Sequence, residues 1–308
     1  MKVKLDDKLE TMLFLPISEG RKGQGGLRTQ GYYKQTSEEK PLVTIITVVY
    51  NGEKFLEETI LSVINQTYDN VEYIIVDGNS TDRTLNIIQN FSHAIDYWVS
   101  EKDKGIYDAM NKGIMLARGE IIGFINSDDA LNPGVLSLIA EKFVVKPGFD
   151  FAYGSVDLIR NSGEKYGITQ PFPQHLIKKK YLKEMPFPHP SLFVKKAVFM
   201  KVGLFDLDFP IGADYDFIIR ILKEEFIGID LNVPISRFRD GGISGGIDTY
   251  KEIKRIQKKY GVSFVFRNMI YLFSIVKFAL NAFIPIRCIR MLKNLRPASR
   301  HKYTPNDI

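Results

Sequence analysis

A chain of 308 residues, 44% hydrophobic and 25% charged, has ordinary globular composition and room for one large domain with appendages. Its single cysteine, Cys288, excludes internal disulfides and offers no cysteine-based zinc site, so a reducing compartment, the cytoplasm, is the expectation. The net charge of +6 is uneven: from Lys251 onward thirteen Lys and Arg face only Glu252 and Asp307, a local +11 that leaves −5 for the rest and makes any basic partner surface C-terminal.

The opening MKVKLDDKLE has acidic residues where a secretion signal needs an apolar core, so no such signal is expected. Residues 1–40 mix charge, Gly and Ser (GRKGQGGLRTQG, then KQTSEEK) without a sustained period, which predicts an extended or partly ordered arm. Gly23, Gly25 and Gly26 make a poor phosphate loop, because no strand precedes them and no Lys-Ser/Thr follows. Pro41 opens the ordered domain. Leu42 to Val49 (LVTIITVV) reads as a buried strand, Glu53 to Gln66 as a helix, and Val71 to Val76 as a second strand. A helix capped near Thr81-Asp82 runs to about Asn90, Ile95 to Val99 is a third strand, and Ile106 to Ala117 a helix after Gly105. Glu120 to Ile125 is a fourth strand, delivering Asp128 and Asp129 into a turn. This βαβα alternation implies a mostly parallel central sheet flanked by helices, with polar residues gathered at the carboxyl ends of the strands.

Those ends carry the chemistry. Tyr50 and Asn51 follow the first strand, Asp77, Asn79 and Asp82 the second, Asp103, Gly105 and Tyr107 the third, and Asp128 with Asp129 the fourth. Each alone has a plain explanation as a turn former or helix cap; four in succession point to one crevice. Adjacent carboxylates repel unless a proton or cation compensates them, and oxygen ligands suit Mg²⁺ or Mn²⁺ bridging to phosphates. No GxGxxG follows the first strand, which weighs against a dinucleotide site.

Taken together, TVVYNGEKFLEETILSVINQTYDNVEYIIVDGNSTDRT, EKDKGIYDAMNKGI and GEIIGFINSDD resemble the donor half of the family 2 glycosyltransferases, which have the Rossmann-like GT-A fold. The resemblance covers roughly Leu42 to Gly246 and implies a domain over residues 41–250. It implies that Thr47, Tyr50, Asn51 and Asp77 hold a nucleotide's base and ribose, that Asp103 lies near the base or diphosphate, and that Asp129 of the aspartate pair is the direct metal ligand beside Asp128. Many members carry Asp where this chain has Asn126.

Past Pro133 a helix to about Val145, a strand from Asp150 to Val156 and another in GEKYGITQ lead into the acceptor half. His189, in the rigid PFPHP link, matches a histidine or aromatic position near the family's acceptor; a lone His in such a loop is more often structural. Gly212-Ala213-Asp214-Tyr215-Asp216 opens a helix where the family reads Gly-Glu-Asp, and the resemblance makes Asp214 the base that takes the acceptor's proton, with helix capping the alternative. Phe238 to Gly245 resembles the loop over the donor diphosphate, whose charge Arg237 and Arg239 would offset. The QxxRW signature of processive synthases is absent, which favours transfer of one sugar per binding event.

From Ser263 to Ala282 polar residues recur near multiples of 3.6, leaving a wide apolar face, and Arg287, Arg290, Lys293, Arg296, Arg300 and Lys302 follow. A C-terminal amphipathic helical segment over 251–308 is therefore expected to lie on the inner face of the cell membrane, with packing on protein as the alternative. The sequence thus predicts an inverting, metal-dependent glycosyltransferase that moves one sugar from a nucleotide-diphosphate sugar, a UDP-sugar, to a lipid-linked saccharide acceptor in surface polysaccharide synthesis. No nucleic-acid partner is expected. The competing readings are a sugar-phosphate nucleotidyltransferase, which lacks support because no Gly-rich Arg-Met loop follows the first strand, and an inactive nucleotide-sugar-binding protein, supported only by Ala213 and Asn126.

Overall fold

The computed structural model describes residues 11–145, 148–239, 241 and 246–283. The chain forms two compact units that part between Gly245 and Gly246. In the first, the β-branched runs become parallel strands, because a strand buried on both faces must be apolar throughout. These are β2 (Val43–Val49), β3 (Val71–Asp77), β4 (Tyr97–Ser100) and β5 (Ile121–Phe124), after a short β1 (Gly23–Gly25) in the arm. Helices α1 (Leu56–Ile64), α2 (Thr84–Asn90) and α3 (Ile106–Leu116) connect them. Then come β6 (Ala130–Leu131), α4 (Val135–Val145), β7 (Phe151–Ile159), β8 (Lys165–Thr169), α5 (Gln174–Lys180), β9 (Phe193–Lys195), α6 (Lys196–Val202), α7 (Ala213–Lys223) and β10 (Gly228–Arg239).

The ten strands of the described residues join one sheet in the order β1-β4-β3-β2-β5-β9-β7-β10-β6, with β8 beside β7. Strands β2 to β5 run parallel, β9 runs antiparallel between β5 and β7, and β10 returns parallel to β7. The chain steps outward from β2 to β3 and β4, then crosses to β5 on the other side of β2. That reversal leaves a crevice outside the carboxyl ends of β2 and β5, the usual position of a ligand in an open α/β sheet.

Alternation along the strands divides two cores. Val43, Ile45, Val49, Tyr73 and Ile75 face α1, α2 and α4 through Leu56, Ile60, Ile88, Leu136 and Ile139. Elsewhere an aromatic cluster joins Phe124 of β5 to Phe199 of α6, Phe205 and Phe217 of α7, with the Phe199 and Phe217 rings stacked 4.7 Å apart. Each such fully buried side chain stabilises the fold by about 1.5–3 kcal/mol over leaving it in water.

The arm, expected to be extended or partly ordered, pairs with the sheet over its described part. Residue 23 pairs with Ser100 and Gly25 with Trp98, adding β1 antiparallel to the edge of the sheet. Arg28 is buried and its Nη2 donates to Glu72 Oε1 at 2.7 Å, while Nη1 donates to the carbonyls of Leu13 and Leu116. Glu72 Oε2 accepts from Thr44 Oγ1 and Arg118 N, both at 2.7 Å, so the pair is hydrogen-bonded on all sides, the condition under which a buried ion pair is tolerated.

The second unit contains α8 (Ile247–Lys259) and α9 (Phe264–Phe283), packed on each other with Lys254 Nζ 4.6 Å from the Tyr271 ring centroid. Along α9, Phe264, Val265, Met269, Leu272, Phe273 and Val276 are exposed. Among the described residues no helix is long and apolar enough to cross a membrane. The basic stretch from Arg287 to Lys302 lies outside the described residues.

Candidate active site

The turn after β5 forms the floor of the crevice. Asp129 is 1% exposed; its Oδ1 accepts from Arg239 N at 2.9 Å and its Oδ2 from Asn126 Nδ2 at 3.2 Å. Burial, and then the charge of Asp128, push the Asp129 carboxyl up to about 8. Asp128 is half-buried, and desolvation raises its carboxyl too, against the opposing charge of Arg239. Asn126 Oδ1 is buried without a hydrogen-bond partner. A buried orphan acceptor beside two carboxylates that resist joint ionisation is a donor set lacking positive charge, and its all-oxygen chemistry fits a hard divalent cation. Among the described residues no group of three or more His, Cys, Asp or Glu could hold a metal by protein side chains alone. Any ion held here therefore needs oxygens from elsewhere, such as water and a substrate's phosphates.

Arg239 fixes this turn. It is buried, with Nε donating to Asp128 O at 2.9 Å, Nη1 to Arg160 O at 3.0 Å, Nη2 paired with Glu58, and its guanidinium 4.0 Å from the Phe55 ring centroid. The expectation of a flexible loop from Phe238 to Gly245 is corrected at its start, since Arg237, Phe238 and Arg239 are the last residues of β10. Its remainder lies largely outside the described residues. Arg237 keeps a half-exposed head, 3.7 Å from Glu58.

The loops after β2 and β3 form one wall. Tyr50 is 65% exposed, and Asn51, at φ 51°, accepts from Thr81 N through its side chain at 2.8 Å. Asp77 is fully buried: Oδ1 accepts from Ser80 Oγ and Oδ2 from Ser100 Oγ at 2.5 Å. Ser80 Oγ also accepts from Asn51 N at 2.7 Å. Thr47 lies inside the sheet, 0% exposed, with its hydroxyl 3.1 Å from Tyr73 Oη. The Thr47 and Asp77 side chains are both buried and hydrogen-bonded within the wall, which they hold in shape. Asn79, at φ 74°, turns the loop and its Oδ1 is buried without a partner. Across it stands Asp103, whose carboxyl is raised chiefly by desolvation. Gly78 permits that approach: a Cβ there would sit 2.5 Å from Asp103 Oδ2.

A further aspartate stands at the start of α7. Asp214 is partly exposed, and its Oδ1 accepts from Tyr107 Oη at 3.0 Å and Tyr215 N at 2.8 Å. Tyr107, at the start of α3, is buried and also donates to Ile211 O at 2.8 Å, so it links α3 to Asp214. His189 stacks on Phe124 at 5.6 Å, its Nε2 buried without a partner. Burial lowers its proton affinity, and the charge of Asp214 pulls the other way, so the ring is near that carboxylate. Asp216 is fully buried and paired with Arg220 at 2.9 Å, leaving Asp214 as the carboxylate open to a substrate. Sequence reasoning missed Ser80, the hub of the wall, and Glu58, the partner of both arginines; neither stands out from ordinary loop and helix composition.

The α/β sheet thus carries a carboxylate pair in the turn after β5 and a separate partly exposed aspartate, Asp214, at the start of α7. The sequence profile described as Glycosyl transferase family 2 matches residues 44–203, and the chain belongs to that family of glycosyltransferases. It is 34% identical to the uncharacterized glycosyltransferase MT1564 of Mycobacterium tuberculosis over 184 residues, 58% of this chain and 68% of the relative. Among solved structures, S. aureus TarS 1–349 in complex with UDP matches with TM-score 0.54 and 18% identity, covering 74% of this chain and 69% of that one; this chain's match spans 42% of the longer TarS chain. The mannosyltransferase PcManGT from Pyrobaculum calidifontis, in complex with GDP-Man and Mn²⁺, matches with TM-score 0.57 and 16% identity over 87% of this chain and 84% of that one. Both structural likenesses concern the fold, a mixed α/β sheet flanked by helices.

Proposed function

We propose that this glycosyltransferase transfers one sugar, with inversion, from a UDP-sugar to a hydroxyl of a lipid-linked saccharide in surface polysaccharide synthesis, working on the inner face of the cell membrane. The observations that carry the reading are that Asp214 and the Asp128-Asp129 turn are each held by their own hydrogen bonds, and that His189, stacked on Phe124 of the strand leading into that turn, feels the charge of Asp214. Asp214 would take the acceptor hydroxyl's proton as the new bond forms, and attack from the side opposite the leaving group inverts the anomeric carbon. Tyr107 orients that carboxylate, and the apolar surround of Phe124, Phe205 and His189 limits water, which would otherwise compete as acceptor. Asn126, Asp128 and Asp129 would hold Mg²⁺ or Mn²⁺ together with the diphosphate, Asp129 through the lone pairs that Arg239 N and Asn126 leave open. When bound, the ion supplies positive charge to the leaving diphosphate. Tyr50, exposed at the rim, and Asn51, Asn79 and Asp103 are the groups available to the nucleoside. UDP and GDP-Man in the two solved relatives support a nucleotide-sugar donor, and Mn²⁺ in one of them supports the ion. The exposed apolar face of α9 supports membrane docking, as does the +11 charge from Lys251 onward.

Thermal-shift screening of purified protein against nucleotide sugars with Mn²⁺ tests the reading. Stabilisation by UDP-sugars above other nucleotides is expected; no stabilisation by any nucleotide sugar would refute it.

A further inference from the structure

The family match begins at residue 44, so it assigns nothing to the arm before it. Yet the arm reaches both loops of the nucleotide wall. After Arg21, Lys22 N donates to Ser100 O at 2.8 Å, which starts the β1–β4 pairing. Gly25 lets this strand lie flat on Trp98, whose ring would be 2.8 Å from a Cβ there. Held in that register, Lys22 Nζ donates to Ser80 O at 2.7 Å and lies 3.4 Å from Asn79 O. Ser80 is the residue whose hydroxyl joins Asp77 to Asn51 N, so one lysine anchors the carbonyl of a residue bonded to two others of the wall. On the other loop, Glu101 Oε2 accepts from Arg21 Nε at 2.8 Å and Ser18 Oγ at 2.8 Å, while Oε1 accepts from Lys112 Nζ at 2.8 Å. Lys112 Nζ also donates to Lys102 O at 3.0 Å, immediately before Asp103. Both cations of the Glu101 cluster are largely shielded, which strengthens these charge-assisted bonds over those of a solvated pair.

We propose that the N-terminal arm completes the donor site: Arg21 and Lys22 are positioning residues that brace the 77–82 and 100–105 loops for binding of a nucleoside diphosphate. The brace rests on the donor-site reading for its ligand, and on geometry alone for its action on the loops. The arm sits outside the crevice, so its effect is on the shape and mobility of the wall and not on the transfer step.

The test compares the full chain with Lys22→Met, Lys22→Arg and Arg21→Met by hydrogen–deuterium exchange, UDP titration with Mn²⁺ and thermal melting. Arg21 also holds the Leu15 and Pro16 carbonyls, so its loss can unseat the arm; Lys22→Met removes only the Nζ bonds and keeps the aliphatic stem. Expected for Lys22→Met is faster exchange over residues 77–82, a UDP dissociation constant raised about three- to tenfold with an unchanged melting temperature and unchanged kcat at saturating donor, and recovery in Lys22→Arg. Wild-type exchange rates and UDP affinity in both Met variants would overturn the brace. Loops loosened by Lys22→Met in a protein that binds no nucleotide even as wild type would uphold the brace and refute the donor reading alone.

Discussion

Replacing Asp214 by Asn separates a base from a helix cap. Asp214 Oδ1 accepts both the Tyr107 hydroxyl and the Tyr215 amide, and among the described residues no hydrogen bond reaches Oδ2. An Asn oxygen placed at Oδ1 keeps both bonds, so the stability cost is at most about 1 kcal/mol, the difference between a charge-assisted bond and a neutral one. What disappears is the acceptor for a proton at the second oxygen. A positioned base contributes about 10² to 10⁴ in rate, or roughly 3 to 5 kcal/mol of barrier. Steady-state transfer with the best donor from the nucleotide-sugar screen should show kcat reduced by that factor, with UDP affinity and melting temperature near wild type. Asp216→Asn makes an informative partner because its fault is different. It breaks a buried pair with Arg220, whose remaining donors still hold the Val202, Gly203 and Leu204 carbonyls, so it should lose about 1–3 kcal/mol of stability while keeping kcat per folded molecule. Full activity in Asp214→Asn, or loss of fold in place of loss of rate, would refute Asp214 as the base.

Arg239→Met should loosen the aspartate turn, lowering stability by about 1–3 kcal/mol because the Asp128 and Arg160 carbonyls lose their donor while Glu58 keeps Arg237; urea unfolding measures it, and a change under about 0.5 kcal/mol would contradict the anchoring role. His189 should make the protein acid-sensitive. Burial lowers its folded pKa below the unfolded value, so as pH falls through about 6.5 the unfolded chain takes up a proton that the folded one does not, and stability drops by up to about 1.4 kcal/mol per pH unit until the folded ring titrates. Melting curves of His189→Phe should lack that slope, and an identical slope would place the sensitivity elsewhere. Truncation before Val262 should abolish co-sedimentation with anionic liposomes, and high salt should weaken it in the full chain; equal binding by both proteins would contradict docking through the C-terminal segment.

The strands of the donor half were legible because they are buried on both faces, where β-branched apolar runs are unavoidable, as in LVTIITVV. The crevice was legible because turns at their carboxyl ends are written in Asp, Asn and Gly. Which aspartate is enclosed was not legible: Asp77 ends β3 and Asp103 follows β4, but two serines, Ser80 and Ser100, enclose the first while Gly78 leaves room for the second. Strand β10 was hidden because Pro234 and Asn232, at φ 56°, interrupt its pattern at two irregularities in its register with β7. The arm was hidden for a related reason. Its strand is Gly-Gln-Gly, with no side-chain alternation to read, and its fixing residue, Arg28, is a cation that composition alone would send to the surface.

Titration of UDP into the protein with Mn²⁺ and with EDTA, for wild type, Asp128→Asn and Asp129→Asn, bears most directly on the donor site. The account predicts that Mn²⁺ tightens wild-type binding at least about tenfold, a coupling of roughly 1.4 kcal/mol, and that each substitution removes most of this gain. Equal UDP affinity with Mn²⁺ and with EDTA, or a metal effect that survives both substitutions unchanged, would contradict it.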